Sequence, residues 1–171
     1  MTGKYFVDAN VFVYMRDPRE PRKQALAAKW IARLVAEEGG CTSMQILSEY
    51  YSVVTRKLAR QVSAAKAWED VRELLAWNPQ PIDEALLTRA HEVEERYGTS
   101  WWDSMVVAAA QLQDCDILLT EDLQDGMRFG TVTVRNPFTM VIEEPAAEYA
   151  LPRSAAVHRP RGRPRRLAAR A

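Results

Sequence analysis

Four acidic residues stand where a core or a helix face favours apolar or neutral side chains: Asp8, Glu49, Asp103 and Asp122. Asp8 closes the apolar run Tyr5-Phe6-Val7, and Asp122 comes soon after Ile117-Leu118-Leu119. Glu49 and Asp103 fall in or beside the apolar faces of two expected helices. Carboxylates near a core are costly when uncompensated, and neighbouring ones repel. At roughly 4 Å two such charges cost about 1 kcal/mol in water and about 4 at an effective dielectric of 20. A divalent cation converts that repulsion into binding energy. An oxygen-only donor set selects Mg²⁺ or Mn²⁺, so the chemistry indicated is metal-assisted work on phosphate. His91 and His158 supply no zinc-like pair, no serine–histidine–acid set assembles, and no glycine-rich phosphate loop occurs.

Each acid also has a plainer reading. Asp8 at a strand end can form an Asx-turn or cap the next helix. Glu49 lies at the edge of the face made by Ile46, Leu47, Tyr50, Val53 and Val54, where a boundary salt bridge would suffice. Ser100-Trp101-Trp102-Asp103 satisfies the capping-box pattern with Asp in place of Glu. Asp103 also shares a face with Val106, Val107 and Ala110, which would turn it inward. Asp122 can cap a helix, and Glu121 and Asp125 are near enough to take its place as ligand. Asn10 and Thr120 are short polar groups beside the strand-end acids, fit to orient a carboxylate or a water or simply to hold turns. The joint arrangement carries more weight than any member: two strand ends and two adjoining helices each supply one acid.

The elements that must position these groups follow from apolar periodicity and breakers. Residues 4–8 read as a short buried strand, followed by a brief helical stretch to Asp17-Pro18. Pro21 starts a helix to about Glu38, stopped by Gly39-Gly40. A short strand at 41–43 leads into a helix over 44–58, capped by Ser43, and a further helix covers 63–77. Asn78-Pro79 breaks it before an extended piece near Pro81-Ile82. Helices follow over 83–97 and 101–113, then a strand at 116–119, a turn-rich segment to Gly126, and a last strand at 131–134. Strands separated by helices imply parallel pairing with right-handed crossovers, and so a three-layer α/β/α domain around a mostly parallel sheet.

The chain has 171 residues, most simply one domain with a real core. That domain is expected to span 1–142, with a Pro/Ala/Arg-rich and disordered tail over 143–171. Formal net charge is zero, but seven of the 23 basic residues are arginines after Leu151, where no acid occurs, so the body is acidic. No apolar stretch approaches the roughly 20 residues of a membrane span, and the first residues do not read as a secretion signal. Cys41 and Cys115 are expected as two buried free thiols of a cytoplasmic protein.

In the segments Phe6-Val-Asp8-Ala-Asn10-Val, Ser43-Met-Gln-Ile-Leu-Ser-Glu49, Trp102-Asp103-Ser-Met-Val-Val-Ala-Ala and Leu119-Thr120-Glu-Asp122, the chain resembles the PIN-domain ribonucleases. The likeness covers 4–138 and is strongest to the VapC-like toxins of toxin–antitoxin pairs. It implies an α/β/α sandwich and an Mg²⁺- or Mn²⁺-dependent endoribonuclease. Asp8, Glu49, Asp103 and Asp122 would be its catalytic metal ligands, with Asn10 and Thr120 in support. It also implies an RNA substrate, a cognate antitoxin that inserts a basic or aromatic group among the acids, and a homodimer. Many relatives carry a second acid after the third catalytic Asp; here Ser104 stands in that place.

An acidic site repels RNA, so Arg56, Lys57 and Arg60 are expected to compensate around it. Trp101 and Trp102 would stack on bases, serve a partner or pack in the core. The tail segment 159–166 resembles an AT-hook, whose Arg-Gly-Arg-Pro element here contains Arg161 and Arg163; the plainer expectation is nonspecific DNA or RNA affinity that falls with salt. Two rival classes remain: a PIN-like module that binds RNA or a partner without cutting, and another α/β metal enzyme. A phosphatase of the haloacid-dehalogenase type needs a second acid where Asn10 stands, and a receiver domain needs an acidic pair beside the first strand.

Overall fold

A computed structural model describes residues 3–140. Strand β1 (Tyr5–Val7) leads through helices α1 (Ala9–Arg16) and α2 (Pro21–Ala36) to β2 (Gly40–Cys41). Helices α3 (Met44–Lys57) and α4 (Ala64–Leu74), a 3-10 turn (Leu75–Trp77), and helices α5 (Glu84–Tyr97) and α6 (Trp101–Leu112) precede β3 (Ile117–Leu119). A hairpin of β4 (Arg128–Phe129) and β5 (Val132–Arg135) completes the sheet.

The sheet order is β2-β1-β3-β5-β4, parallel throughout except for β4 against β5. The β1→β2 and β2→β3 connections run in opposite directions across the sheet. Right-handed crossovers therefore put their helices on opposite faces, which gives the three layers expected from the sequence. All three residues of β1 are buried, as a strand covered on both faces must be.

Side-chain caps set the helix starts. Asp8, Ser43, Ser63, Asp83 and Ser100 each accept a hydrogen bond from a backbone N–H in the first turn of the helix that follows. Gly40 has a second reason to be glycine besides ending a helix: a Cβ there would lie 2.4 Å from the Trp77 ring. Strand β4 went unread because two residues carry no alternation. Its turn is legible only in Gly130, whose φ of +65° suits the two-residue hairpin loop. The extended piece expected near Pro81-Ile82 reduces to a single bridge between Ser43 and Gln80.

A buried ion network braces α1, α3 and α4. Asp70 accepts two hydrogen bonds from Arg16, at 2.7 and 2.6 Å, and one from Tyr50 Oη at 2.5 Å; Lys66 stands at 3.3 Å. Burial raises the Asp70 carboxyl, but the bonds from Arg16 and Tyr50 outweigh it and hold it below its ordinary range. Both cysteines are free as expected, yet only Cys115 is fully buried; Cys41, on the short edge strand β2, is partly exposed. The expected domain end at 142 and the tail, with Arg161 and Arg163, lie outside the described residues. Among those described, no helix is long and apolar enough to cross a membrane.

Candidate active site

Two parallel strands in register bring the first acid and its support together. Val7 of β1 pairs with Leu119 of β3, so Asp8 and Thr120 emerge side by side at the carboxyl ends of adjacent central strands. The Asp8 N–H donates to Leu119 O at 3.1 Å, which continues the ladder into the site.

The Asp8 carboxylate is nearly buried and spends both oxygens. Oδ1 accepts from Ala9 N at 2.7 Å, and Oδ2 accepts from Thr120 Oγ1 at 2.7 Å and more weakly from Asn10 Nδ2 at 3.4 Å. Thr120 is wholly buried. Its hydroxyl donates to Asp8 and accepts from Asn10 Nδ2 and from the Asp122 N–H, at 3.0 and 3.1 Å. Asn10 Nδ2 also donates to Asp122 Oδ2 at 3.0 Å. Asn10 and Thr120 thus join Asp8 to Asp122, and the amide orientation is fixed because a reversed amide would set its oxygen against carboxylates. Asn10 Oδ1 is then left buried with no hydrogen-bond partner.

The acids after β3 differ in their partners. Glu121 pairs with Lys23 at 2.6 Å, and Asp125 accepts from Arg135 and from the Asn136 N–H at 3.2 and 2.8 Å. Asp122 alone of the three meets Asn10. Lys23 was not singled out from sequence; nothing short of the fold places it beside a residue 98 positions away.

Glu49 and Asp103 approach from the helices. Glu49 is solvent-exposed on α3, at the edge of the apolar face. Asp103 occupies the first turn of α6 and realises the capping box: its N–H donates to Ser100 Oγ at 3.1 Å, and that hydroxyl donates to Asp103 Oδ2 at 2.7 Å. Asp103 is only partly buried, whereas Ser104 through Ala110 are buried, so the inward-facing residue is Ser104. Ser104 exchanges a hydrogen bond with Thr99 at 2.8 Å.

Electrostatics couple these carboxyls. Burial first, and then the charges of Asp122 and Glu49, push Asp8 up to about 6 against the pull of its hydrogen bonds. Glu49 is likewise raised, by the surrounding protein first and then by Asp122 and Asp103, with Lys57 opposing. Asp8, Glu49 and Asp122 therefore crowd one negative region, and Glu49 extends it to Asp103. Among the described residues, no three His, Cys, Asp or Glu side chains stand close enough to form a ready-made metal cage.

The donor set still fits a hard divalent ion. Every available donor is oxygen, and Mg²⁺ keeps several waters while bound through one or two carboxylates. Of the expected substrate contacts, Arg56 and Lys57 are exposed at the end of α3, and Arg56 lines the groove beside Glu49. Arg60 is exposed beyond the helix and does not line that groove. Trp101 packs partly against the core, and Trp102 faces solvent. Gln45, also on this groove, was missed; its signal was a polar residue four before Glu49 on an otherwise apolar face.

Comparison with known proteins bears on the fold and the family. A family model described as PIN domain matches residues 5–124. Among solved structures, the chain is similar to VapC20 of Mycobacterium tuberculosis, a sarcin–ricin loop cleaving toxin. That match has a TM-score of 0.51 at 19% identity, covering 70% of this chain and 92% of the other. None of the curated proteins compared matches the chain.

Proposed function

The chain belongs to the PIN-domain family, and on that premise we propose that it is a metal-dependent endoribonuclease, the toxin of a toxin–antitoxin pair. The observation that carries this reading is the hydrogen-bonded join Asp8–Thr120–Asn10–Asp122 at the carboxyl ends of β1 and β3. It collects negative charge where an open α/β sheet binds its ligand. Asp8, Asp122, Asp103 and Glu49 would hold Mg²⁺ or Mn²⁺, directly or through water. When bound, the ion supplies charge neutralisation at the scissile phosphate and a water acidified for attack.

The chain's own groups do the remaining work. Thr120 fixes Asp8 by donating to Oδ2, and Asn10 keeps Asp122 facing it, so the site needs little reorganisation. Glu49, exposed and with a raised carboxyl, would accept the proton of the attacking water. Arg56 and Lys57 offset the repulsion between the acids and the RNA backbone.

Similarity to VapC20 in fold supports the toxin reading, with a cytoplasmic setting, a cognate antitoxin and a homodimer as its corollaries. Under this reading residues 1–142 form the nuclease domain, and the Arg-rich segment 143–171 gives nonspecific nucleic-acid contact. The spread of the acids favours one alternative, a PIN-like module that binds RNA or a partner without cutting. Incubating the purified protein with a mixed RNA pool, with Mg²⁺ or Mn²⁺ against EDTA, separates the two. Cleavage that needs metal supports the nuclease; RNA bound intact in every condition supports the module.

A further inference from the structure

Polar residues recur along α3 at Gln45, Glu49, Ser52 and Arg56, the spacing of one helix face. This stripe lines a groove of about 740 Å³ together with Trp102, at the start of α6, and Ile82. Trp102 is 66% exposed although it adjoins Asp103, and Ile82 is 55% exposed. Gln45 is only 8% exposed, yet its Oε1 is buried with no hydrogen-bond partner. Arg56 is held against the helix by Ser52, Nε to O at 3.2 Å and a second contact to the hydroxyl.

Three chemistries meet here: an open indole face, a buried unsatisfied amide and a charged guanidinium. They correspond to the face, the edge and the phosphate of one nucleotide. Glu49 lines the groove and also feels the charges of Asp122 and Asp103, so a strand bound at the acids would reach into it. Its polar stripe suits a nucleotide better than an apolar protein segment.

We propose that the groove between Gln45 and Trp102 is a nucleobase subsite for single-stranded RNA, next to the scissile phosphate. A base stacks on Trp102, Gln45 reads its edge, and Arg56 meets the adjoining phosphate. This rests on the ribonuclease reading and adds to it a determinant of where the strand is cut. A duplex cannot present an unstacked base to Trp102, so the substrate segment is single-stranded.

Two measurements test it. Fluorescence titration of the full chain carrying Asp8→Asn, with mixed-sequence single-stranded oligoribonucleotides, reads binding without turnover. Adding Trp102→Ala is expected to weaken binding roughly ten-fold, the loss of one stacked base, and Trp102→Phe to restore most of it. In the otherwise wild-type chain, sequencing of RNA ends cut with Mn²⁺ should show the base preference at one position beside the cut flattened by Gln45→Ala. Thermal melts confirm that the variants fold, as expected for the exposed Trp102.

Unchanged binding and an unchanged cut-site profile in both variants would overturn the subsite and leave the nuclease standing. Trp102-dependent binding by a wild-type chain that cuts no RNA would instead bring down the nuclease and keep the groove as an RNA site. RNA behaviour untouched by Trp102→Ala, with a change in sedimentation, would overturn the proposal in favour of a protein interface.

Discussion

Thr120 Oγ1 donates to Asp8 Oδ2 across 2.7 Å, a contact between residues 112 positions apart made by two neighbouring parallel strands. Because the threonine is wholly buried and its hydroxyl also accepts from Asn10 and from the Asp122 N–H, it orients the buried carboxylate and ties it to the exposed one. Thr120→Val keeps the shape and removes the donor. The expected result is a folded protein, destabilised by about 1–3 kcal/mol for the unsatisfied neighbours, with RNA cleavage lowered well beyond that of a surface control. Urea denaturation and a cleavage time course check it.

Asp8→Asn should retain the fold and lose cleavage, since it removes a charge the site needs and that the fold tolerates poorly. Burial and like charges raise Asp8 to about 6 from an ordinary 3.8, so the folded state binds this proton more tightly than the unfolded chain. In metal-free protein, stability therefore falls as pH rises from about 4 to about 6, by about 3 kcal/mol from this group, and stays lost above that window. Melting in EDTA across pH should show Asp8→Asn above wild type at pH 7.5, with its slope in that window flattened. Full cleavage by the variant with metal present would sink the site assignment.

Metal should reverse the same penalty. Mg²⁺ or Mn²⁺ at about 100 times its dissociation constant is expected to add about 2.7 kcal/mol, or roughly 5–10 °C in melting temperature. Asp122→Asn should largely abolish that shift. An equal shift in wild type and variant would place the ion elsewhere.

The Asp70 network makes a separate claim about stability. Arg16→Ala leaves Asp70 buried with only Tyr50 and Lys66, and should cost about 3 kcal/mol. Adding Asp70→Asn should recover part of it, because the stranded charge is then gone. Asp70 is held below its ordinary range, so its contribution is present at neutral pH and is lost as pH falls through its lowered value. A double-mutant cycle by urea denaturation reads both terms.

Truncation after residue 142 should leave cleavage of short RNAs intact while weakening RNA binding at low salt. Each phosphate contact removed lowers the slope of log affinity against log salt by roughly 0.7 for a single strand. An unchanged slope would mean that Arg161, Arg163 and their neighbours do not touch RNA.

The sequence by itself determined most of the element order, β4 excepted, and caps such as Ser43 and Ser100, and it singled out the acids as candidates. These are local: Ser43, Asp83 and Ser100 act within one turn of their own helices, and a buried strand such as Tyr5–Val7 declares itself by composition. The capping role of Asp103 was legible for the same reason. The tertiary structure decided everything that depends on register and on long-range partners. Only strand pairing puts Thr120 on Asp8, and only the packing of the loop after β3 gives Glu121 to Lys23, Asp125 to Arg135 and Asp122 to Asn10. The groove at Trp102 likewise appears only when α3 and the start of α6 come together, because exposure and an unpaired amide are properties of packing that no spacing along the chain encodes.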